Sequence, residues 1–239
     1  LQQAAVVGHE FWDQALAAID ADALQQLPQL LAKALIVARK ALAGNDSCEF
    51  AFKHHLLHQG TYDGVLKAPK RDGHARVGAF WRARAHTAAA RDVDPAHCRA
   101  LAEAQYHGCQ ADPQDYVGWF EKQFPNYYDA YASAALRPLV EQLVGVCERQ
   151  FGTEHPQTAG ALSKVARVAL MQGDVELMAP LLKRALAIQE QALPPDHPDT
   201  ALTLAAMGGY HSGHGDLAAA EPFVQRALPI RERVLGPER

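Results

Sequence analysis

Several features that define other protein classes are scarce in this sequence. Its 239 residues include only four cysteines, 17 glycines and 14 prolines, and the net charge is −4. No run of 18 apolar residues occurs, which argues against a membrane-spanning helix. Without an overall positive charge, nucleic-acid binding is not favoured either. The chain begins at Leu1 without a charged leader, so we expect it to be a piece of a longer protein.

The usual signatures of enzymes are also missing. The sequence contains no Gly-x-Ser-x-Gly elbow and no glycine-rich phosphate loop, and its four cysteines form no close pair. Unpaired thiols are typical of a reducing compartment, so we expect a cytoplasmic protein. We predict that it is not an enzyme and needs no cofactor.

Alanine is what the sequence has in excess. It contains 45 alanines, and 49% of its residues are hydrophobic. Alanine is the strongest helix former, and its small side chain lets helices pack closely. The composition therefore predicts an all-α fold.

A repeat of 42 residues lies in the C-terminal part of the chain. The segment that begins at His155 returns at His197, and an ungapped comparison of residues 155–190 with 197–232 gives 13 identities in 36 positions. Repeats of this length are typical of proteins built from stacked helix pairs.

Each copy is predicted to form two helices joined by a tight turn. In the first copy the helices span about 158–171 and 175–193, and Gly173 lies between them. Asp199 or Thr200 is expected to cap the first helix of the next copy. One helix pair cannot bury its apolar side alone, so neighbouring pairs must stack.

These copies resemble the 42-residue tetratricopeptide repeat of the kinesin-light-chain type. The small-residue positions of that repeat correspond here to Ala166, Met178 and Ala185 in one copy and Gly208, Ala220 and Ala227 in the next. The resemblance covers about residues 138–239. It implies a right-handed α-solenoid of antiparallel helix pairs, acting as a scaffold or interaction module that binds another protein or peptide.

The resemblance also implies where a partner binds. In that family the first helix of each repeat lines a groove that receives a peptide or a helix. The corresponding residues are Gly160, Ser163, Lys164, Arg167, Leu170 and Met171 in one copy and Leu202, Ala205, Gly209, Ser212 and Gly213 in the next. The cationic groups among them predict an acidic partner.

The chain is predicted to contain two regions. Residues 1–125 are expected to be helical and are interpreted as degenerate repeats, whereas residues 126–239 hold the clear copies and a partial one before residue 154. Within the first region we expect helices over about 10–43, 47–58, 77–90, 95–107 and 114–124. Residues 59–75 contain three glycines and a proline, which predicts a long loop.

Two groups of residues suggest a metal site as an alternative. His54 and His58 lie four residues apart on an expected helix, so both could reach one ion, but no third ligand is evident. Cys98 and Cys109 would be about 16 Å apart on one helix, too far to share an ion. The alternative function is therefore a regulator whose N-terminal half binds a small molecule or a metal, although we predict no metal.

Two further clusters have both a structural and a functional interpretation. Residues 67–84 carry six cationic side chains against Asp72 and include Phe80 and Trp81; an anionic protein partner is favoured over nucleic acid. Six aromatic residues are interpreted as core, with a ligand or peptide pocket as the alternative: Trp119, Phe120, Phe124, Tyr127, Tyr128 and Tyr131.

The last helix is expected to expose an apolar stripe. Phe223, Ala227, Ile230 and Val234 follow one another at helical spacing. An exposed apolar stripe usually marks an interface, so we predict self-association through these residues.

Overall fold

A computed structural model describes residues 1–41, 47–87, 95–129 and 133–235. The chain divides into two compact units, Leu1–Tyr116 and Val117–Arg239. Tyr131 and the residues after 235 lie outside the described part, and so does the side chain of Val234. No helix in the described part is long and apolar enough to cross a membrane.

The first unit combines helices with a small sheet. A 3-10 turn at Ala21–Gln26 lies between its second and third helices. The helices are α1 (Gln2–Val7), α2 (Asp13–Ile19), α3 (Leu27–Ala32), α4 (His55–Asp63), α5 (Lys67–Thr87) and α6 (Pro95–Ala111), and the strands are β1 (Glu10–Trp12), β2 (Ile36–Ala41) and β3 (Cys48–Phe52).

The prediction of helices over residues 10–43 and 47–58 is wrong in part, because these ranges contain the three strands of the sheet. Its strands are antiparallel in the order β1-β3-β2. Phe11 lies opposite Phe50, and Ile36 lies opposite Phe52. All four of these side chains are buried. Aromatic and β-branched residues fit a half-buried pleated surface, and this preference outweighs the alanine-rich surroundings.

The loop predicted over 59–75 is also wrong, because α4 and α5 occupy most of it. Gly73 lies inside α5, where an added Cβ would come within 2.9 Å of Cγ1 of Val6 in α1. This glycine permits close packing of two helices rather than a turn.

The second unit consists of consecutive helices, the first of which begins just before the unit boundary. From the second of these helices onward, each one packs against the next helix in the sequence. The helices are α7 (Pro113–Asp129), α8 (Ser133–Phe151), α9 (Pro156–Met171), α10 (Val175–Ala192), α11 (Pro198–Gly213) and α12 (Leu217–Leu235).

The two clear repeats end their first helices in the same way. Gly173 and Gly215 adopt φ values of 75° and 77°, which an L side chain rarely tolerates. The amide of the following residue then bonds back to the helix, from Asp174 to the Ala169 carbonyl and from Asp216 to the His211 carbonyl. The predicted glycine turn is confirmed in both copies.

The cap of the first helix differs from the prediction. His197 caps α11, because its Nδ1 accepts the Asp199 amide at 3.2 Å, and His155 does the same for the Gln157 amide in α9. Neither Asp199 nor Thr200 is the N-cap. A proline follows each histidine at the first helical position, where no amide donor is needed.

The small residues of the repeat lie in the core of this unit. Ala166, Met178 and Ala185 are fully buried, and their counterparts in the next copy are buried as well. The predicted helical-repeat fold is therefore confirmed.

Candidate functional site

Three helices of the second unit, α7, α9 and α11, are joined by polar contacts. Lys164 in α9 donates from Nζ to Oε1 of Glu121 in α7 at 3.2 Å. Ser163 in α9 and Thr203 in α11 share a hydrogen bond of 2.9 Å. These contacts place α7, α9 and α11 side by side.

We call the solvent-facing side of these three helices the first-helix surface. It is defined by eight residues of these helices that are at least partly accessible to solvent: Glu121, Tyr128, Gly160, Lys164, Arg167, Leu170, Leu202 and Gly209.

Arg167 lies against an aromatic pair on this surface. Its guanidinium carbon is 4.2 Å from the ring centroid of Tyr128 and 5.2 Å from that of Phe124. Such stacking holds the planar guanidinium in place and leaves its N–H donors available. Among the residues that the structure describes, no carboxylate forms an ion pair with Arg167.

Lys164 contributes less than the sequence suggested. Its side chain is only 14% exposed, and its ammonium group already contacts Glu121 and the Gly160 carbonyl. The positive charge that the surface can offer to a partner therefore comes from Arg167.

Two leucines of the first-helix surface are exposed. Leu170 is 46% exposed, and Leu202 is 49% exposed. The remaining predicted residues, Ser163, Met171 and Ala205, are half-buried, while Ser212 is exposed. The surface thus combines one cationic group with exposed leucines.

The adjacent glycines of α11 have different roles. A Cβ on Gly208 would come within 2.7 Å of Cγ2 of Val224, so this glycine allows α11 and α12 to pack closely. A Cβ on Gly209 or on Gly213 would meet no atom within 4 Å. Helix packing therefore explains the glycine at position 208 but not the one at position 209. Because Gly209 has no side chain, the helix backbone is accessible there on the first-helix surface.

The aromatic cluster of α7 serves mainly as core. Phe120, Phe124 and Tyr127 are buried, whereas Trp119 and Tyr128 are partly accessible. Burial raises the pKa of Tyr127 to about 12. Glu121 was not predicted as a surface residue, and Tyr128 was considered only as a member of this cluster, because no repeat identity marks the partners of Lys164 and Arg167 on α7.

Three of the four residues of the apolar stripe predicted on α12 pack into the core; the side chain of Val234 lies outside the described part. Ala227 and Ile230 are buried in one cluster with Leu186 and Leu204, and Phe223 packs against the same cluster. These side chains are therefore occupied within their own chain. The large apolar side chains that α12 exposes are a different set: Leu217, Val224 and Leu228.

The histidines considered as metal ligands do not lie on one helix. His54 is the extended residue before α4, which begins at His55. His58 bonds through Nε2 to the Ala5 carbonyl at 3.0 Å, and burial lowers its pKa. Within the described ranges, no three His, Cys, Asp or Glu side chains are arranged to hold a metal ion.

The six cationic residues of α5 are largely engaged within the first unit. Arg82 pairs with Asp115 at 2.6 Å, and Arg76 donates to the Ile19 carbonyl at 2.8 Å. The other contacts of this kind are Lys70 over the ring of Tyr62, Arg71 to the Ala111 carbonyl and Arg84 over the ring of Phe80. Trp81 is buried, so it acts as a core residue.

A buried polar chain also runs through the first unit. Nε2 of His74 is 3.0 Å from the Tyr62 hydroxyl, and its Nδ1 is 2.7 Å from Nδ1 of His107. Nε2 of His107 lies 3.6 Å from Glu103. This distance is too long for a hydrogen bond. Between the two rings, one Nδ1 carries the proton and the other accepts it.

This chain has a structural role. His74 and His107 are both buried, and these hydrogen bonds satisfy three of their four ring nitrogens; among the described residues, Nε2 of His107 has no hydrogen-bond partner. Burial, with His107 and Lys70 nearby, lowers the pKa of His74 to about 4, and burial raises that of Tyr62 to about 12. Both groups are therefore neutral at pH 7.

Comparison with known proteins identifies the repeats. The sequence model of the tetratricopeptide repeat family matches residues 158–233. Among curated proteins, the chain has no significant match.

Solved structures of repeat proteins are also similar to this chain. One holds nearly identical TPR-like repeats of a Podosopora anserina protein named for kinesin light chain; it is 17% identical, with a TM-score of 0.38 over 74% of this chain and 91% of the other. Another is BtubC (BKLC) from P. vanneervenii, 16% identical, with a TM-score of 0.39 over 78% of this chain and 86% of the other.

The family match and the structure agree on the same segment. Residues 158–233 cover the first and second helices of both clear copies, with their glycine turns and buried alanines in register. Residues 158–233 therefore match the tetratricopeptide-repeat family in sequence and form two helix pairs in the structure.

Proposed function

We propose that the chain is a protein-interaction module or scaffold whose first-helix surface binds an acidic segment of a partner protein. In this role it carries out no chemical step of its own. Tetratricopeptide repeats generally bind other proteins or peptides. The four free cysteines favour a reducing compartment, and we propose the cytoplasm.

The observation that supports an acidic partner is the state of Arg167. It stacks on Tyr128 and has no carboxylate partner among the described residues. A guanidinium held in place loses little conformational entropy when it binds a carboxylate in a bidentate manner. Leu170 and Leu202 add exposed apolar area to the same surface. We therefore expect a partner segment that combines Asp or Glu with large apolar residues.

A peptide array tests this proposal. Labelled chain is applied to random 12-residue peptides that are acidic, neutral or basic, and the composition of the bound peptides is read. We expect enrichment of acidic peptides that contain leucine or a similar residue. Arg167→Met keeps the apolar stem but removes the charge, so it should abolish the acidic preference.

The matched control is Arg231→Met. Arg231 is an exposed arginine on α12, outside the first-helix surface. It changes the net charge by the same amount, so it should leave the preference for acidic peptides intact. Equal losses in both variants, or bound peptides without acidic enrichment, would refute the proposal.

A further inference from the structure

The first helices of the two clear repeats differ in one buried hydrogen bond. Thr158 of α9 is 0% exposed, and its hydroxyl donates to the Gly152 carbonyl at 2.7 Å. Thr200 holds the same position in α11, 42 residues later, and is 3% exposed. Among the described residues, the Thr200 hydroxyl has no hydrogen-bond partner. A buried hydroxyl without a partner is costly, so its presence calls for an explanation.

The loop before α11 cannot supply the acceptor that the loop before α9 supplies. Gly152 adopts a φ of 106°, in the left-handed region. Pro194 stands at the equivalent position, and its ring fixes φ at about −65°, so the second loop must follow another path. Arg184 also donates to the Thr153 carbonyl at 3.3 Å, whereas within the described residues its counterpart Arg226 donates to no loop carbonyl. The second loop therefore lacks both bonds that hold the first loop to its helices.

A cavity of about 380 Å³ lies beside this second loop. Apart from Thr200, it is lined by charged residues and by five apolar ones: Pro194, Pro195, Leu204, Pro229 and Ile230. We call it the loop cavity. Its volume is sufficient for a small organic ligand, and its walls combine apolar side chains with a few polar groups, as ligand sites usually do.

Two arginines at the loop cavity have hydrogen-bond donors to spare. Arg226 pairs with Glu190 at 2.5 Å, and Arg233 pairs with Asp196 at 2.6 Å; all four residues line the cavity. A guanidinium has five N–H donors. In the described part of the chain, Arg226 uses one of them, and Arg233 uses two because it also donates to the Pro229 carbonyl. These ion pairs are about half exposed and contribute little to stability, so both arginines can also bind another anion.

The stacking of repeats leaves this part of a helix pair uncovered. Pro229 and Arg233 of α12 correspond to Ala187 and Gln191 of α10, 42 residues earlier. A complete helix pair follows α10, and yet Ala187 and Gln191 are both exposed. A further repeat stacked on α12 in the same way would therefore leave the loop cavity open.

We propose that the loop cavity binds a small ligand in which a carboxylate is attached to an apolar body. The carboxylate accepts hydrogen bonds from the Thr200 hydroxyl and from Arg226 or Arg233, and the apolar body packs against Pro194 and Ile230. A free apolar acid and the C-terminal residue of a peptide share this chemistry. The loop cavity has no residue in common with the first-helix surface, so the proposal does not rest on the proposed function.

Hexanoate is the probe for a free acid. Its binding to the full chain is followed by saturation-transfer NMR, with hexanol and hexylamine as ligands that keep the six-carbon body and change the polar group. We expect saturable binding of hexanoate that is at least about tenfold tighter than that of either comparison ligand. The reason is that the carboxylate alone carries a charge complementary to the arginines.

A pair of equivalent threonines tests the buried contact. Thr200→Val keeps the size of the side chain and removes the hydroxyl, so it should weaken hexanoate binding at least about fivefold. It should not lower the urea midpoint of unfolding, because this hydroxyl has no protein partner to lose. Thr158→Val is the matched control. It breaks the bond to Gly152, so it should lower the midpoint and leave hexanoate binding unchanged.

The equivalent arginines test the charged contact in the same way. Arg226→Met should weaken hexanoate binding about threefold to tenfold, and Arg184→Met, the same change in the first copy, should have no effect on it. Grafting the first loop provides a further check. Pro194→Gly combined with Pro195→Thr should allow the loop to supply an acceptor to Thr200 and should abolish hexanoate binding.

A second ligand identifies the source of the carboxylate. The peptide acetyl-Ala-Leu with a free C-terminus presents the same group on a peptide. Tighter binding of this peptide than of hexanoate would identify a peptide C-terminus as the ligand, and tighter binding of hexanoate would identify a free acid. Arg167→Met, which should abolish the acidic preference of the first-helix surface, should change neither affinity.

Three results would overturn the proposal. The first is the absence of saturable binding of both hexanoate and the peptide. The second is binding that Thr200→Val leaves unchanged, because the buried hydroxyl would then not contact the ligand. The third is equal binding of hexanoate and hexylamine, which would show that the cavity does not recognise a carboxylate.

Discussion

Helices pack closely within each of the two units, but different residues make this possible. In the second unit, called the repeat unit below, small residues recur at a fixed interval, so Ala185 and Ala227 hold equivalent buried positions 42 residues apart. In the first unit, close approach depends on single glycines such as Gly73 and Gly108. The difference explains why the repeat unit could be interpreted from its sequence and the first unit could not: a period is visible in one sequence, whereas an isolated contact is not.

The largest expected effect concerns the alanines of the repeat unit. Ala185→Asp places a carboxylate at a fully buried helix contact, where it has no partner. We expect the free energy of unfolding to fall by about 3 kcal/mol or more, measured by urea denaturation with far-UV circular dichroism. Ala227→Asp should act similarly, because Ala227 is 3% exposed.

Ala187→Asp is the control in the same helix. Ala187 is exposed two residues further along α10, so its substitution should change stability by no more than about 0.5 kcal/mol. If Ala185→Asp and Ala187→Asp unfolded at the same urea concentration, the repeat register would be wrong.

Much of the repeat unit could be predicted because its signals occur twice. The glycine turns follow from Gly173 and Gly215 in equivalent positions. The caps were missed, since Asp and Thr are the usual capping residues and the ring nitrogens of His155 and His197 perform that role here. The inner and outer apolar stripes of α12 are both at helical spacing, so the pattern alone could not tell which of them the chain buries.

The first unit shows why single residues mislead. Its glycines suggested a loop over 59–75, yet Gly73 lies in a helix because Val6 approaches it closely. The partners of β3 depend on residues distant in sequence, such as Phe11 and Ile36. The surface arginine Arg167 was identified through the family register, but its contacts with Tyr128 became evident only in three dimensions.

The next largest effect is a loss of stability at acidic pH that we expect in the first unit. His74 in the first unit has its pKa lowered to about 4, chiefly by burial, and the unfolded chain has the ordinary value near 6.5. The unfolded state therefore binds more protons between these values. The stabilisation is fully present above pH 6.5 and decreases by about 3 kcal/mol as the pH falls towards 4.

Tryptophan fluorescence can follow this loss in the first unit. Trp119→Phe leaves Trp12 and Trp81, which both lie in that unit, as reporters. In this background His74→Phe should show a much smaller difference in unfolding free energy between pH 7 and pH 5. Equal differences with and without His74 would show that other groups control the acid response.

A smaller effect is expected for a single glycine of the first unit. An added Cβ at Gly108 would come within 2.7 Å of Cδ2 and 3.2 Å of Cβ of Tyr116. Tyr116 is completely buried and cannot move without cost. Gly108→Ala should therefore destabilise the chain by about 1–3 kcal/mol in urea denaturation.

Gly60→Ala provides the reference for this change. Gly60 lies in α4, and its added Cβ would meet no atom within 4 Å. Alanine should stabilise this helix by up to about 1 kcal/mol. A stabilising Gly108→Ala would mean that Tyr116 adjusts freely, and that the first unit does not depend on this close approach.

The smallest effects are expected at two adjacent glycines of the repeat unit, and they should have opposite signs. Gly208→Ala forces a Cβ against Val224, whose half-exposed side chain can give way, so we expect a loss of about 1 kcal/mol. Gly209→Ala meets open space and should stabilise α11 by up to about 1 kcal/mol, because glycine is a poor helix former. Both are measured by thermal unfolding of the full chain. If Gly209 lets a partner approach the helix backbone, the Gly209→Ala variant should be more stable and yet bind acidic peptides less tightly. An unchanged affinity would show that Gly209 does not contribute to binding at the first-helix surface.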